Sequence, residues 1–451
     1  MKTRMHFVGI EGVGMNALAE AVRALGAEVS GCDLAPGPAS QRLARDGVRI
    51  WRGHDPAHLS GAERLVISNA VPEDHPEVVA ARRAGIPVER RIETLARVLA
   101  TRPSLGVSGT HGKTTTTAML AQVLEAAGRD PMALVGARVP GWRGGFRPGT
   151  GPVVAEIDES DRLFPEARVA LAVLTNLEDD HVGDPNRPTY HESEAALLAA
   201  MARWLKAAEA AVLPADPELS DLRPKGTRVL DFGLDAGAVR AEELVLTPTG
   251  ARFTLVLEGR ALGPVALRVP GLHNVQNALA AAAAGLLFGL GYEAVARGLE
   301  AFPGTGRRFE PVGEYRGALI YDDYAHHPTE LAATLEAARG LGRRVRAVFQ
   351  PHRYLRTARL LDRFAEALKL ADEAIVLEVY PAGEPPIPGV NGAVLAERAR
   401  SLGASARFLE REEALRYLAE TLTEGDLLIT LGAGDVGELA RRLAEEARAW
   451  K

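Results

Sequence analysis

The sequence predicts three consecutive α/β domains, each built on an open parallel sheet. Three observations carry that prediction. Short apolar runs of strand length alternate with helical stretches along nearly the whole chain, the rhythm of βαβ units. At 451 residues the chain is too long for one hydrophobic core. Almost every unusual polar cluster also follows a predicted strand directly: Gly9–Gly14, Gly109–Thr115, Glu156–Asp161, Thr175–His181, Asp322–His327, Gln350–Arg356 and Gly432–Gly437. Open parallel sheets bind ligands outside the carboxyl ends of their strands, so clusters at that edge point to sites.

The first domain is expected over residues 1–100, with strands at Met5–Ile10, Glu28–Gly31, Arg64–Ser68 and Ile86–Val88 and a helix over Met15–Leu25. A boundary near Ala100–Pro103 introduces the second, over 101–303. There Leu105–Val107 reads as strand and Thr115–Ala127 as helix, closed by Gly128, with further strands at Pro152–Glu156 and Ala170–Leu174. A β-prone insertion spans about Val239 to Val269. The run Ala278–Gly291 contains glycines and follows a polar motif, so it reads as a buried core helix and not a membrane span. The turn Phe302–Gly306 opens the third domain, over 304–451, with strands at Ala318–Tyr321, Arg344–Phe349, Ala374–Val379 and Leu427–Leu431.

Composition excludes several classes. Hydrophobic residues at 47% and charged residues at 25% are globular values, which argues against gross disorder. A net charge of -6 and the lack of any dense basic run give no case for a nucleic-acid partner. The apolar run at the N-terminus is too short for a signal peptide before glycines interrupt it. The single cysteine, Cys32, allows no internal disulfide and fits a reducing cytosol, so a cytoplasmic protein is expected; a monomer or a homodimer is open on the sequence.

The most specific motif is Gly109-Thr110-His111-Gly112-Lys113-Thr114-Thr115, set between a strand and a helix. Its glycines let backbone N–H groups approach phosphate oxygens, and the helix N-terminus favours the anion. Lys113 would reach the β- and γ-phosphates of ATP, and the Thr114 hydroxyl would ligate Mg²⁺. The full Walker pattern has a glycine where this chain has Val107, so the match is to a variant. Only six of the 53 basic residues are lysines, which sharpens the choice of lysine in the loop. Glu156 and His181 end the neighbouring strands, where both could hold a nucleotide-bound metal, although a solvated acid and a structural histidine are the bland readings.

Two further glycine motifs differ in kind. Gly9, Gly12 and Gly14 form G-x-x-G-x-G, not the dinucleotide fingerprint, and Asp33 follows where a ribose-binding acid belongs. That suggests a nucleotide or sugar-nucleotide site, against a plain tight strand–helix turn. Gly432-Ala433-Gly434-Asp435-Val436-Gly437 does match G-x-G-x-x-G, but too little chain follows for a strand carrying the ribose acid. It is expected to be a close-packing turn, not an NAD site.

Taken together, GTHGKTTTT, EIDESD, TNLEDDH, PGLHNVQN, FPGTGRRFE, DDYAHHPTE, FQPHRYLRT, VYPAGEPPIPG and GAGD resemble the motifs of the Mur ligase family over nearly the whole chain. The last five look like the branch that adds L-alanine to UDP-N-acetylmuramate in peptidoglycan precursor synthesis. The resemblance implies a Rossmann-like UDP-binding domain, a central P-loop ATPase domain and a C-terminal Rossmann-like domain. It implies that Gly109–Thr115 binds ATP, that Thr114, Glu156 and His181 hold Mg²⁺, and that Asn274 and Asn277 match the family's asparagine pair, with Asn277 near adenine. Arg308 matches the arginine that reaches the γ-phosphate, and Asp323 the C-terminal acid near ATP. Gly9, Gly12, Gly14 and Asp33 match the UDP-sugar site. His352, Arg353 and Arg356 look like the amino-acid pocket, where arginine forks suit a carboxylate. The chain departs from the family pattern after His181, has no lysine in 182–205 to be carbamylated, and is irregular over Gly141–Gly151.

The chemistry implied is phosphorylation of the lactyl carboxylate by ATP, attack of the alanine amine on the acyl phosphate, and loss of phosphate. Lys113, Arg308 and Mg²⁺ would supply positive charge where negative charge develops. His326 or Asp323 could accept the amine proton. Two rivals stand beside this reading: a recycling ligase that attaches a tripeptide to the same sugar nucleotide, and a nucleotide-binding oxidoreductase or regulator that uses the first domain.

Overall fold

The computed structural model describes residues 3–180, 182–184, 187 and 189–449. His181, one of the expected metal ligands, lies outside the described residues. The chain divides into two compact units. One comprises Met1–Glu242, Phe253–Val265 and Gln276–Pro303, and the other Glu243–Arg252, Ala266–Val275 and Gly304–Lys451. Three sheets run through them, and the α/β class predicted from sequence holds throughout.

The first unit begins with a five-stranded parallel sheet ordered Arg49–Arg52, Glu28–Asp33, Arg4–Val8, Arg64–Ile67, Val88–Arg90. The order reverses at Arg4–Val8, so the Gly9–Gly14 turn leaves the sheet at the topological switch point. The helix Val13–Ala24 follows at once, two residues earlier than its apolar spacing suggests. Its buried face, Met15 to Val22, joins one core with the central region.

The central sheet places Ser104–Ser108 between Val153–Glu156 and Leu171–Leu174, all parallel. Every residue of Ser104–Ser108 is buried, as a strand covered on both faces requires. Register then fixes the site. Val107 pairs with Glu156 and Ser108 with Leu174, so Glu156 and Thr175 emerge on either side of the loop that begins at Gly109. Met132–Leu134 and Phe146–Arg147 extend one side of this sheet, and Ala210–Pro214 and Arg228–Gly233 the other. The alanine run lies within the helix Leu272–Leu287, with Ala278 to Ala284 wholly inaccessible, so the apolar stretch is core and not a span. No described helix is long and apolar enough to cross a membrane.

The second unit carries a six-stranded sheet ordered Glu310–Tyr315, Ala318–Asp323, Asp426–Leu431, Arg344–Phe349, Glu373–Val376, Ala406–Phe408. Only the first pair is antiparallel, a hairpin turning at Arg316–Gly317. Asp323 pairs with Leu431, and Leu431 with Phe349. The turns that follow those three strands therefore sit side by side.

Candidate functional site

The loop Gly109–Gly112 needs its glycines because neighbours press on it. Gly109 and Gly112 have φ of +131° and +78°, and a Cβ there would meet Thr175 Oγ1 and Asn277 Oδ1 at 2.2 Å each. The strand end after Leu174 braces the loop: the His111 N–H donates to Asn176 Oδ1 (2.9 Å), and the Thr175 hydroxyl to the His111 carbonyl (2.7 Å). Lys113 opens the helix Lys113–Ala126 and turns its ammonium back over the loop. It donates to the carbonyls of Gly109 (2.6 Å) and Thr110 (3.0 Å) and pairs with the Glu159 carboxylate at 2.8 Å. Burial pulls the Lys113 pKa down, but the charges of Glu159, Asp158 and Glu156 outweigh it and hold the ammonium above the usual lysine range. Beside it the Thr114 hydroxyl donates to Glu156 Oε2 at 2.8 Å, the same oxygen that accepts from the Gly136 N–H. A hydroxyl and a carboxylate so placed are hard oxygen donors of the kind Mg²⁺ takes beside a nucleotide, so these residues fit the ion.

The first glycine turn is built differently. Asp33 binds it from the next strand, accepting from the Glu11 N–H (3.1 Å) and the Ala35 N–H (3.0 Å). The Glu11 carboxylate reaches the start of the helix Pro38–Arg45 and accepts from the N–H groups of Gly37, Ala39 and Ser40 and from the Ser40 hydroxyl. Burial would raise its pKa, but those hydrogen bonds win and lower it. From Gly12 and Gly14 a cleft of about 290 Å³ runs past Ser68 and Arg91 to Gly136 and Glu156. It joins the first glycine turn to the acid beside the Gly109–Gly112 loop.

In the second unit the double arginine divides into two roles. Arg307 ties turns together, through Nε to Asp322 Oδ2 (2.9 Å) and through its Nη atoms to the carbonyls of Gly432 and Gly434. The third glycine motif is thus the close-packing turn expected: a Cβ on Gly437 would lie 2.6 Å from Asp322. Arg308 lies over the Tyr324 ring and 3.7 Å from Glu330 Oε1. Asp323 accepts from the Phe309 N–H (2.6 Å) and the Ala325 N–H (2.8 Å). Burial nonetheless pushes its carboxyl up to about 6, with Arg308 and those donors opposing. His326 Nδ1 sits 3.0 Å from the Tyr324 carbonyl, an acceptor only, so Nδ1 carries the proton and the lone pair of the neutral ring is on Nε2. The His326 ring lies 6.0 Å from that of His352, which stacks on Tyr380. Arg356 Nη1 is 3.5 Å from His352 Nδ1, while Arg353, at φ +75°, gives its Nε to Glu384 at 2.5 Å. Asn274 donates to the Pro270 carbonyl (2.7 Å) and Asn277 accepts from Thr116 (3.3 Å).

Three family descriptions match the chain in succession: "Mur ligase family, catalytic domain" over residues 4–102, "Mur ligase middle domain" over 107–285, and "Mur ligase, glutamate ligase domain" over 307–434. The UDP-N-acetylmuramate–L-alanine ligase of Deinococcus radiodurans is 43% identical over 450 residues, which are 98% of this chain and 92% of that protein. The chain belongs to the Mur ligase family. A protein of the same description from Xanthomonas campestris pv. campestris is 41% identical over 98% of this chain and 95% of its own. Among solved Mur ligases, the UDP-N-acetylmuramate–alanine ligase of Thermotoga maritima superposes with a TM-score of 0.86 at 30% identity, covering 99% of this chain and 100% of that one. A murein peptide ligase from Psychrobacter arcticus superposes with a TM-score of 0.72 at 26% identity, covering 98% of each.

Sequence reasoning missed four residues at these Mur ligase sites: Glu11, Arg91, Glu159 and Glu384. Glu11 and Glu159 lie inside quoted motifs and could have been found there, a half-buried acid beside a helix start and a buried one beside a lysine. Glu384 also lies inside a quoted motif, but its pairing with Arg353 comes from long-range folding, and Arg91 carries no local signal.

Proposed function

We propose that this Mur ligase joins L-alanine to the lactyl carboxylate of UDP-N-acetylmuramate with hydrolysis of ATP, in the cytoplasm, as a step of peptidoglycan precursor synthesis. The full-length identity to UDP-N-acetylmuramate–L-alanine ligases carries this reading. The cleft from Gly12 and Gly14 to Glu156 supports it, because a sugar nucleotide on the first turn would direct its carboxylate toward the phosphate loop.

Gly9, Gly12, Gly14 and Asp33 bind the UDP-sugar, and Gly109–Thr115 cradles the ATP phosphates with Asn274 and Asn277 on the adenine side. Thr114, Glu156 and His181 would hold a Mg²⁺ ion, which would neutralise charge on the phosphate oxygens. Lys113 leaves its ion pair with Glu159 to meet the phosphates, and Arg308 adds a second positive charge. A lactyl carboxylate oxygen attacks the γ-phosphorus and ADP leaves. The alanine amine, its carboxylate held by His352, Arg353 and Arg356, attacks the acyl carbon, and phosphate leaves with its oxygen. His326 Nε2 takes the amine proton and Glu330 steadies the imidazolium. Asp323 holds the backbone that follows Arg308 and precedes His326.

Phosphate release with UDP-N-acetylmuramate, ATP and Mg²⁺, each acceptor offered separately, tests the assignment. L-Alanine is expected to turn over fastest, with glycine and L-serine slower by a factor set by about 1–3 kcal/mol. Fast turnover with L-Ala-γ-D-Glu-meso-diaminopimelate and none with L-alanine makes the protein a recycling ligase instead.

A further inference from the structure

The first domain contains a cluster that none of the chemistry above uses. His6 on the strand Arg4–Val8, Cys32 on Glu28–Asp33, His58 on the 3₁₀ turn Pro56–Leu59 and Glu77 on the helix Pro76–Arg83 converge on one point. One ligand atom from each lies within 4.8 Å of all the others. His6, Cys32 and Glu77 are buried, and the His58 side chain is 11% exposed at the rim.

The spacing approaches that of a coordination shell. Glu77 Oε2 lies 3.3 Å from both His6 Nε2 and Cys32 Sγ, and Glu77 Oε1 lies 3.0 Å from His58 Nδ1. Bonds of about 2.0–2.1 Å to nitrogen and oxygen and about 2.3 Å to sulfur set neighbouring corners of a tetrahedron about 3.3–3.7 Å apart. His6 supplies the second, independent sign. Its Nδ1 is 2.9 Å from the Ser30 hydroxyl, while Nε2 is buried, aimed into the cluster and without a hydrogen-bond partner. An imidazole held at one nitrogen by an outer partner and bare at the other is the arrangement of a metal ligand. Its distance to Glu77 is short, but the pair is not aligned as a hydrogen bond.

We propose that His6, Cys32, His58 and Glu77 bind one divalent transition-metal ion of the zinc class, which staples four segments of the first domain. Histidine nitrogen and thiolate sulfur select such an ion over Mg²⁺, which prefers oxygen. Binding replaces the Cys32 S–H bond with a metal–sulfur bond and releases the proton to solvent. The dication, one thiolate and one carboxylate then sum to zero charge in a buried place. Burial, with Glu77 and Asp33 nearby, pushes the free Cys32 thiol well above its usual range. Cys32 directly precedes Asp33, so an ion there also steadies the residue assigned to the UDP-sugar. His54 Nδ1, 3.2 Å from Cys32 Sγ, stands as an outer partner.

The competing account is a hydrogen-bonded cluster around Glu77. Burial would raise the Glu77 pKa, but His6, the Asp55 N–H and Cys32 together bring it to about 2, so the carboxylate is already stabilised without an ion. The full chain, stripped with chelator and titrated with Co²⁺, separates the two accounts. Cys32 is the sole cysteine, so a thiolate-to-cobalt charge-transfer band can arise only here, whatever Co²⁺ does at the oxygen donors of the phosphate loop. One equivalent of Co²⁺ should give that band, and Zn²⁺ should displace it and raise the Tm. Cys32→Ser should abolish the band, His58→Ala at the rim should weaken binding at least tenfold, and Ser30→Ala should weaken it about 10–100-fold. No band in the wild-type chain, or a band that survives unchanged in His58→Ala and Ser30→Ala, overturns the proposal.

Discussion

Lys113 in the phosphate loop and Asp323 in the second unit are both largely buried, and their surroundings treat charge in opposite ways. Lys113 lies among Glu156, Asp158 and Glu159, and its charge is held on. Asp323 meets backbone N–H groups and the charge of Arg308, while burial and the nearby Glu330 carboxylate oppose ionisation and prevail, lifting its carboxyl to about 6. On the proposed reading, the loop that meets the ATP phosphates keeps its cation in reserve on carboxylates. A residue that must only hold backbone in place can tolerate partial neutrality. The difference teaches that burial alone does not set a charge state; the partners brought by the neighbouring strands do.

The largest effect expected is on turnover. Lys113→Ala should lower the rate of phosphate release at least 10²–10³-fold, the range for removing one group that stabilises developing charge. It also takes from the Glu159 carboxylate, at 1% side-chain exposure, the ammonium it pairs with, at a cost of roughly 3–5 kcal/mol. Adding Glu159→Gln should restore most of the lost Tm and none of the turnover. If the double variant recovers activity, Lys113 is only the partner of Glu159.

Asp323 should show itself through pH. Its carboxyl is protonated in the folded state and ionised in the unfolded state between about pH 4 and pH 6. Over that window the folded chain binds more protons, so the contribution of Asp323 to stability falls as pH rises, by roughly 3 kcal/mol in all. Asp323→Asn does not titrate there. The Tm advantage of wild type over Asp323→Asn should therefore be larger at pH 4 than at pH 7. An advantage that grows with pH would mean that the charged form is favoured and that the contrast with Lys113 is false.

Glu156→Ala should raise the Mg²⁺ concentration for half-maximal activity about tenfold. This is the smaller effect, since Thr114 and the nucleotide phosphates remain as ligands. An unchanged magnesium titration removes Glu156 from the metal site and leaves it as a counter-charge for Lys113.

Much of this was legible in the sequence because strand ends announce themselves. The apolar run Arg344–Phe349 is bounded as the structure has it, and the polar clusters near Leu174, Asp323 and Phe349 do lie at the carboxyl ends of strands, the last two side by side in one sheet. Short strands were not legible. Met132–Leu134 and Phe146–Arg147 hold three and two residues, too few for any period to register. Ala210–Pro214 is apolar and looks like the end of the preceding helix, Glu194–Ala207. The hairpin strand Glu310–Tyr315 carries glycine and proline, which speak against a strand and are tolerated at a sheet edge. Arg353 illustrates the harder limit. The arginine is plain in FQPHRYLRT, but its hold by Glu384 depends on a residue 31 positions away.

The central claim is that the two glycine turns divide the nucleotides between them, ATP to Gly109–Thr115 and the UDP-sugar to Gly9–Gly14 with Asp33. Calorimetric titration of UDP-N-acetylmuramate into wild type, Lys113→Ala with Glu159→Gln, and Asp33→Ala tests it most directly. The division predicts affinity within about twofold of wild type for the Lys113 variant and a loss of about tenfold or more for Asp33→Ala, each single lost charged contact contributing about 1.5–3 kcal/mol. Equal losses in both variants, or a loss confined to the Lys113 variant, would contradict it.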